Sequence, residues 1–139
     1  MGLDITTSDN VKAFHIGYLN FIDMRSYFIL HYGTESYEIY HKILNAVLND
    51  SYEVDMLYHK LFKQIGDLKI LIGQSDCDGE LTSDECKKLR SCLFVDEERI
   101  KSALAKNKEY CDRMIKLMYE FVGLITYCAE HNDVKLIFN

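Results

Sequence analysis

Proline is absent from the chain, and this absence constrains the fold more than any other feature of its 139 residues. Proline ends or kinks helices because it lacks a backbone N–H and because its ring clashes with the preceding turn. Without it, apolar residues recur at the spacing of one helix face over residues 37–48 and 56–72, and a long apolar segment covers 113–131. The sequence therefore predicts an all-α protein.

Two of the predicted helices have local start signals. Thr82 and Ser83 are both N-cap residue types, and acidic residues follow them in what would be the first turn. Residues 96–106 begin acidic and end basic, which is the order that the helix dipole favours. We expect a helix to begin at each place.

Composition and charge narrow the class of function. Apolar residues make up 48% of the chain, enough for a hydrophobic core, and the net charge of −6 disfavours binding to nucleic-acid phosphates. We find no apolar run long enough for a membrane-spanning helix and no signal-peptide pattern. The five cysteines form no C-x-x-C pair, which indicates reduced thiols. The expectation is a cytoplasmic protein that does not insert into membranes.

The segment QSDCDGELTSDE, residues 74–85, matches the twelve-residue calcium loop of an EF-hand. Such a loop places oxygen ligands at positions 1, 3, 5, 7, 9 and 12, and needs glycine at position 6 for its turn. Gly79 occupies position 6, and Leu81 occupies the aliphatic position 8, through which paired hands form a short sheet. The candidate ligands are Gln74, Asp76, Asp78, Glu80, Thr82 and Glu85.

Gln74 departs from this pattern, because position 1 normally carries a carboxylate. A neutral amide lowers the charge of the site and therefore its calcium affinity. The sequence predicts at most one weak calcium site and leaves open a loop that binds no metal. The competing interpretation is an acidic junction between two helices with an ordinary Asp-Gly turn.

The sequences around this loop resemble paired EF-hands. LRSCLFVDEERIKSALAK resembles the exiting helix, linker and entering helix of a calmodulin C-terminal lobe, and Glu120-Phe121 resembles the junction that opens the next exiting helix. The intervening NKEYCDRMIKLM lacks the acidic ligand core. Nearer the N-terminus, NFIDMRSYFILHYGTESYEIYHKIL and LNAVLNDSYEVDMLYHKLF resemble two further hands without ligands, with Val54 at the sheet position of the second.

Taken together, the chain resembles the calmodulin superfamily and is similar to myosin light chains, especially the divergent essential light chains of apicomplexan parasites. The resemblance implies two EF-hand lobes whose hands are mostly degenerate. Residues 1–66 would form an N-lobe with two degenerate hands. Residues 67–139 would form a C-lobe with one near-complete hand and one degenerate hand. The short connection between the lobes leaves the register of the second hand open.

The family resemblance implies a non-catalytic light chain that clamps and stiffens a basic, amphipathic IQ-type helix of a myosin heavy chain. The acidic net charge fits such a partner. For each candidate groove residue, an ordinary place in the core is the competing interpretation. The candidates are Phe14, Phe28, Leu57 and Phe62 in the N-lobe, and Leu89, Leu93, Met114, Met118, Phe121 and Ile125 in the C-lobe.

Two other classes of function remain as alternatives. FVGLITYCAEH resembles the central apolar helix of poxvirus Bcl-2-like proteins, which implies a helical-bundle inhibitor that binds host proteins and whose helix does not break at Asp78-Gly79. An enzyme is disfavoured, because the five histidines form no H-x-x-x-H or H-E-x-x-H pattern and the sequence lacks a phosphate-binding glycine loop and a nucleophile elbow.

Overall fold

The computed structural model describes residues 2–46, 51–73 and 79–139. The helices are Tyr18–Leu30 (α1), Thr34–Ala46 (α2), Ser51–Ile65 (α3), Lys69–Ile72 (α4), Ser83–Arg90 (α5), Glu97–Ala103 (α6) and Lys108–Glu130 (α7), with a 3-10 turn at Gly66–Leu68. The strands are Gly2–Thr7 (β1), Ala13–Gly17 (β2), Gly79–Leu81 (β3) and Leu136–Phe138 (β4).

The four strands form one antiparallel sheet in the order β2-β1-β4-β3. Leu3 and Ile5 in β1, and Phe14 and Ile16 in β2, are buried, while the residues between them are more exposed. This alternation is the pattern of a sheet that packs one face on a core and turns the other toward solvent. The fold is therefore a mixed α and β structure.

The prediction of an all-α fold is wrong, because the described residues include a four-stranded sheet and begin with a β-hairpin in the segment that was assigned to the N-lobe. Its turn has a clear physical basis: Thr7 Oγ1 donates to Asp9 Oδ1 at 2.6 Å, and Asn10 adopts a positive φ of 61°. Asparagine accepts this left-handed conformation more readily than most residues. The signal in the sequence was the period-two alternation of apolar residues on either side of this turn.

The prediction of two EF-hand lobes is also wrong. The supposed fourth loop, NKEYCDRMIKLM, lies almost entirely in α7, which runs without a break from Lys108 to Glu130. Leu81 does pair in a sheet, but its partner is Leu136 of the C-terminal strand β4 and not a twin from a second hand. Val54, the supposed sheet residue of the second hand, is buried within α3.

The core is one contiguous cluster centred on Phe121 of α7. The ring of Phe121 lies 6.0 Å from that of Phe14, 6.4 Å from that of Phe21 and 6.2 Å from that of Phe28, measured between centroids. Every residue of α1 from 24 to 30 is buried, so the C-terminal half of this helix is surrounded by protein on all sides. Strands from both ends of the chain and helices from its middle thus share one core.

The C-terminal tail holds the sheet together. β4 lies between β1 and β3, and outside the ladder Ser8 N donates to Lys135 O at 2.8 Å while Lys135 N donates to Ser8 Oγ at 2.9 Å. Because these contacts join the two ends of the sequence, the sheet is assembled only when the chain is folded as a whole. Within the described ranges, no helix is long and apolar enough to cross a membrane.

Candidate functional site

Three of the six candidate calcium ligands, Gln74, Asp76 and Asp78, lie outside the described residues. Of the remaining three, Glu80 is an exposed residue of β3, and its Oε1 lies 3.3 Å from the amine of Lys135. This exposed pair joins β3 to the residue that precedes β4, and exposed ion pairs contribute little to stability.

Thr82 and Glu85 form a capping box at the start of α5. Glu85 N donates to Thr82 Oγ1 at 3.2 Å, and Thr82 N donates to Glu85 Oε1 at 3.1 Å. This reciprocal arrangement satisfies two backbone donors that would otherwise lack partners at a helix start. The predicted helix start is therefore confirmed at Thr82. The Glu85 carboxylate, predicted to bind calcium at position 12 of the loop, accepts a hydrogen bond from the N-cap backbone.

The start of α5 is also tied to α7. Ser83 is buried, and its hydroxyl donates to Cys128 O at 2.8 Å. Cys86, one turn further along α5, is fully buried, and this burial raises the pKa of its thiol. In the described part of the chain, no group of three or more histidine, cysteine, aspartate or glutamate residues is arranged to hold a metal ion.

The candidate groove residues are mostly core residues. Phe14, Phe28, Leu89, Leu93, Met114, Met118, Phe121 and Ile125 are all buried, and Leu57 and Phe62 are partly buried against the same cluster. A groove that binds a partner needs apolar side chains that remain accessible. The structure therefore places these residues around Phe121 and in the helix interfaces, and an apolar partner would have to contact other side chains.

Apolar side chains that do remain exposed include Phe94, in the turn between α5 and α6, and Tyr119, on α7. Phe94 is 47% exposed, and its ring lies against the imidazole of His31, with centroids 4.7 Å apart. Tyr119 is 50% exposed, and its hydroxyl donates to Glu97 Oε2 at 2.6 Å. This hydrogen bond raises the pKa of Tyr119. Both aromatic residues are thus held beside the start of α6.

Asp96 organises this helix start. Its Oδ1 accepts from Arg99 N at 3.3 Å as the N-cap of α6, and its Oδ2 lies 2.9 Å from His31 Nδ1 at the end of α1. The hydrogen bond with His31 is the main cause that lowers the pKa of Asp96. One carboxylate therefore caps a helix and joins it to a second helix.

Two further contacts fasten α6 and its preceding turn to the end of α1. The guanidinium of Arg99 donates from Nη1 to Leu30 O at 2.7 Å, which satisfies a carbonyl at the helix C-terminus. Tyr32 donates its hydroxyl to Cys92 O at 2.6 Å, and burial raises the pKa of Tyr32 to about 12. The loop that carries Phe94 is thus fixed at both its ends.

We call Phe94, Asp96, Glu97, Glu98 and Tyr119 the aromatic–acidic surface. Three consecutive acidic residues, the N-cap Asp96 and then Glu97 and Glu98, mark the start of α6. Glu97 pairs with Lys101 at 3.7 Å, and Asp96 pairs with Arg99 at 3.7 Å and with His31 at 2.9 Å. An open depression of about 600 Å³ adjoins it, lined by Leu30, Thr34, Glu98, Arg99, Ser102 and Ala103.

The sequence did not predict this surface, because the segment CLFVDEER does not show whether its phenylalanine is exposed or buried. The only signal available was the acidic start of the helix, which was interpreted as a response to the helix dipole.

Comparison of the chain with protein-family models, with curated proteins and with solved structures found no significant match. The fold and the site define the chain at the level of class: helices packed on one face of a small antiparallel sheet, with an exposed aromatic–acidic surface.

Proposed function

We propose that this protein is a non-catalytic binding module that recognises a basic, amphipathic helix of a larger protein through the aromatic–acidic surface. The observation that carries the proposal is the pair of half-exposed aromatic side chains, Phe94 and Tyr119, held in fixed positions beside three consecutive carboxylates. Aromatic side chains whose conformation is already restricted lose little entropy on binding, and they dominate the energy of many protein interfaces.

Charge supports the choice of partner. Asp96 is the N-cap of α6, and Glu97 and Glu98 lie in its first turn, in a chain whose net charge is −6. A basic helix would be steered toward such a surface, and its apolar face would cover the two rings. The adjoining depression beside Glu98 offers room for the long side chains of arginine or lysine.

This proposal keeps the partner class that the sequence suggested and changes the mode of binding. A myosin neck helix remains one example of such a partner, now bound on a surface instead of being enclosed between two lobes. The Bcl-2-like alternative predicted a continuous helix through Asp78-Gly79, whereas Gly79 begins strand β3. No observation therefore favours that second function.

The test is a titration of the full chain with a fluorescein-labelled IQ-type helical peptide, followed by anisotropy. Phe94→Ala and Tyr119→Ala should each weaken binding about tenfold, in line with loss of a central aromatic contact. Met56→Ala is the matched control, because Met56 is 57% exposed on α3, which packs chiefly on α2 and the 3-10 turn. Raising the salt concentration should weaken binding further, since exposed charges are screened.

The variants also separate contact from folding. Tyr119→Phe keeps the ring and removes the hydrogen bond to Glu97, so it should weaken binding less than Tyr119→Ala does. Equal affinity of the wild type, Phe94→Ala and Tyr119→Ala for the peptide would overturn the proposal, and so would equal weakening by Met56→Ala.

A further inference from the structure

β2 is the end strand of the sheet, and its outer backbone groups are turned away from β1. Thr7 N donates to Lys12 O at 3.0 Å, and Asp4 exchanges both of its backbone hydrogen bonds with Asn139 on the opposite side of β1. Antiparallel strands alternate between residues that bond to one neighbour and residues that bond to the other. It follows that Ala13 and His15, which lie opposite Thr6 and Asp4, point their N–H and C=O groups outward.

This outer edge of β2 is accessible. Ala13 and His15 are exposed, and no other strand pairs with β2 among the residues that the structure describes. Natural proteins commonly cover, shorten or charge such an edge because it is a template for another strand. Exposed apolar residues flank β2 in the sequence: Val11 before it is 59% exposed, and Leu19, in the first turn of α1, is 78% exposed.

A groove of about 270 Å³ lies beside this edge, between β2 and α7. Gly123 forms part of its floor, and a Cβ atom placed on that residue would meet nothing within 4 Å. A strand added to β2 would direct alternate side chains toward α7, where this open space would receive one of them. The groove is lined by Lys12, Ala13, Phe14, Glu120, Gly123 and Leu124.

The groove has opposite charges toward its two ends. Phe14 contacts Phe121, while Lys12 lies 6.0 Å from the ring of Tyr127, so α7 runs antiparallel to β2. Lys12 is therefore at one end, and Glu120 is at the other end beside Phe14. In the described part of the chain, neither the amine of Lys12 nor the carboxylate of Glu120 forms an ion pair.

We infer that β2 binds an extended segment of a partner protein as a fifth, antiparallel strand of the sheet. Main-chain hydrogen bonds to Ala13 and His15 would hold the segment, as in other cases of strand addition. Its side chains facing α7 would be, in order from its N-terminus, a basic residue beside Glu120, an apolar residue over Gly123 and an acidic residue beside Lys12. This is a second surface, separate from the one that binds a helix.

The test uses two synthetic peptides with blocked ends and the full ¹⁵N-labelled chain, followed by NMR. The first peptide, Thr-Lys-Thr-Leu-Thr-Glu-Thr, has the matching order, and the second, Thr-Glu-Thr-Leu-Thr-Lys-Thr, reverses the charges. The matching peptide should shift the amide signals of Ala13, His15 and Gly123 and slow hydrogen exchange at Ala13 and His15. The reversed peptide should bind at least tenfold more weakly.

Three variants examine the separate parts of the inference. Ala13→Pro removes an outward N–H and should abolish binding, whereas Ala13→Thr keeps it and should not. Gly123→Leu places a side chain in the groove from a position where a Cβ atom meets nothing within 4 Å, and it should weaken binding at least tenfold. The double variant Lys12→Glu with Glu120→Lys should reverse the preference, so that the second peptide binds better than the first.

The outcomes distinguish this inference from the proposed helix-binding function, because Phe94→Ala should leave strand binding unchanged. Failure of both peptides to shift Ala13 and His15 at millimolar concentration would overturn the inference, and so would binding that survives Ala13→Pro. Changes at these amides that depend on protein concentration without any peptide would assign the edge to a second copy of the chain instead.

Discussion

The starts of α5 and α6 satisfy their unpaired backbone N–H groups in two different ways. Each helix has an N-cap side chain that accepts a backbone N–H three residues later, Thr82 for α5 and Asp96 for α6. At α5 the second member of the cap is Glu85, three residues away, whereas Asp96 binds His31, which lies 65 positions earlier in the chain. One cap is local, and the other depends on the tertiary structure.

This difference shows that local contacts stabilise one helix start and tertiary contacts stabilise the other. A capping box forms whenever its few residues adopt a helical turn, so its contribution exists even in partly folded chains. The contact between Asp96 and His31 exists only after α1 and α6 have packed together. Substitutions at the two caps should therefore differ in size, in pH dependence and in their effect on distant residues.

The largest effect is expected for Asp96→Ala, at about 2 kcal/mol of unfolding free energy, because it removes an N-cap and also the partner of His31. Urea denaturation followed by circular dichroism measures this loss. Asp96→Asn retains a cap acceptor and should lose about half as much. If Asp96→Ala proved no more harmful than removal of the Thr82 side chain, the contrast between the two caps would fail.

Thr82→Ala is expected to cost about 1 kcal/mol, the usual value for loss of a helix N-cap. Thr82→Ser keeps the hydroxyl oxygen that accepts from Glu85 N and should cost much less. The same denaturation experiment compares the three proteins. The amide signals of residues around His31 should remain unchanged in Thr82→Ala and should move in Asp96→Ala, which tests whether only the second cap is coupled to α1.

Acid should weaken the α6 cap selectively. The pKa of Asp96 is lowered from its usual value of 3.8 in the folded state, chiefly by the hydrogen bond with His31. Its stabilising contribution is therefore complete above the ordinary pKa and is lost as the pH falls through the lowered one. Stability measured between pH 5 and pH 2 should fall more steeply for the wild type than for Asp96→Asn. Parallel curves for the two proteins would contradict this expectation.

Calcium should have the smallest effect. At a calcium concentration equal to the dissociation constant, a single site raises the free energy of unfolding by about 0.4 kcal/mol. A weak site therefore adds little stability. Thermal unfolding in EDTA and in 1 mM calcium measures the difference. Glu85→Gln, which keeps an oxygen for the cap, should remove any such gain. A large calcium stabilisation would show that the loop at 74–85 binds metal more strongly than Gln74 suggests.

The sequence predicted local structure well where the signal lay within a few residues. Residues 37–48 largely coincide with α2, and 113–131 fall almost wholly in α7. The helix start at Thr82 was also foreseen. One failure was local, because the period-two alternation of the N-terminal hairpin was not recognised. The other was non-local: β1 and β4 pair residues from the two ends of the chain, with Ile5 opposite Phe138, and no short-range pattern indicates such a partner.

The candidate site shows the same division. Acidic residues at the start of α6 and the net negative charge, on which the proposal of a basic partner rests, could be read from the sequence, since charge and the helix dipole are local properties. The sequence could not predict which apolar residues are buried, because nothing local distinguishes Phe28 from Phe94 before the helices pack. The structure buries the first and leaves the second half exposed.

The sequence by itself determined the helices, the cap at Thr82, the hairpin turn at Asn10 and the acidic character of the chain, because each depends on neighbouring residues. The tertiary structure alone decided that β4 joins the N-terminal hairpin to β3, that Asp96 binds His31, and that Phe94 and Tyr119 remain outside the core. These features depend on contacts between residues far apart in the chain, which form only when the apolar surfaces around Phe121 are buried together.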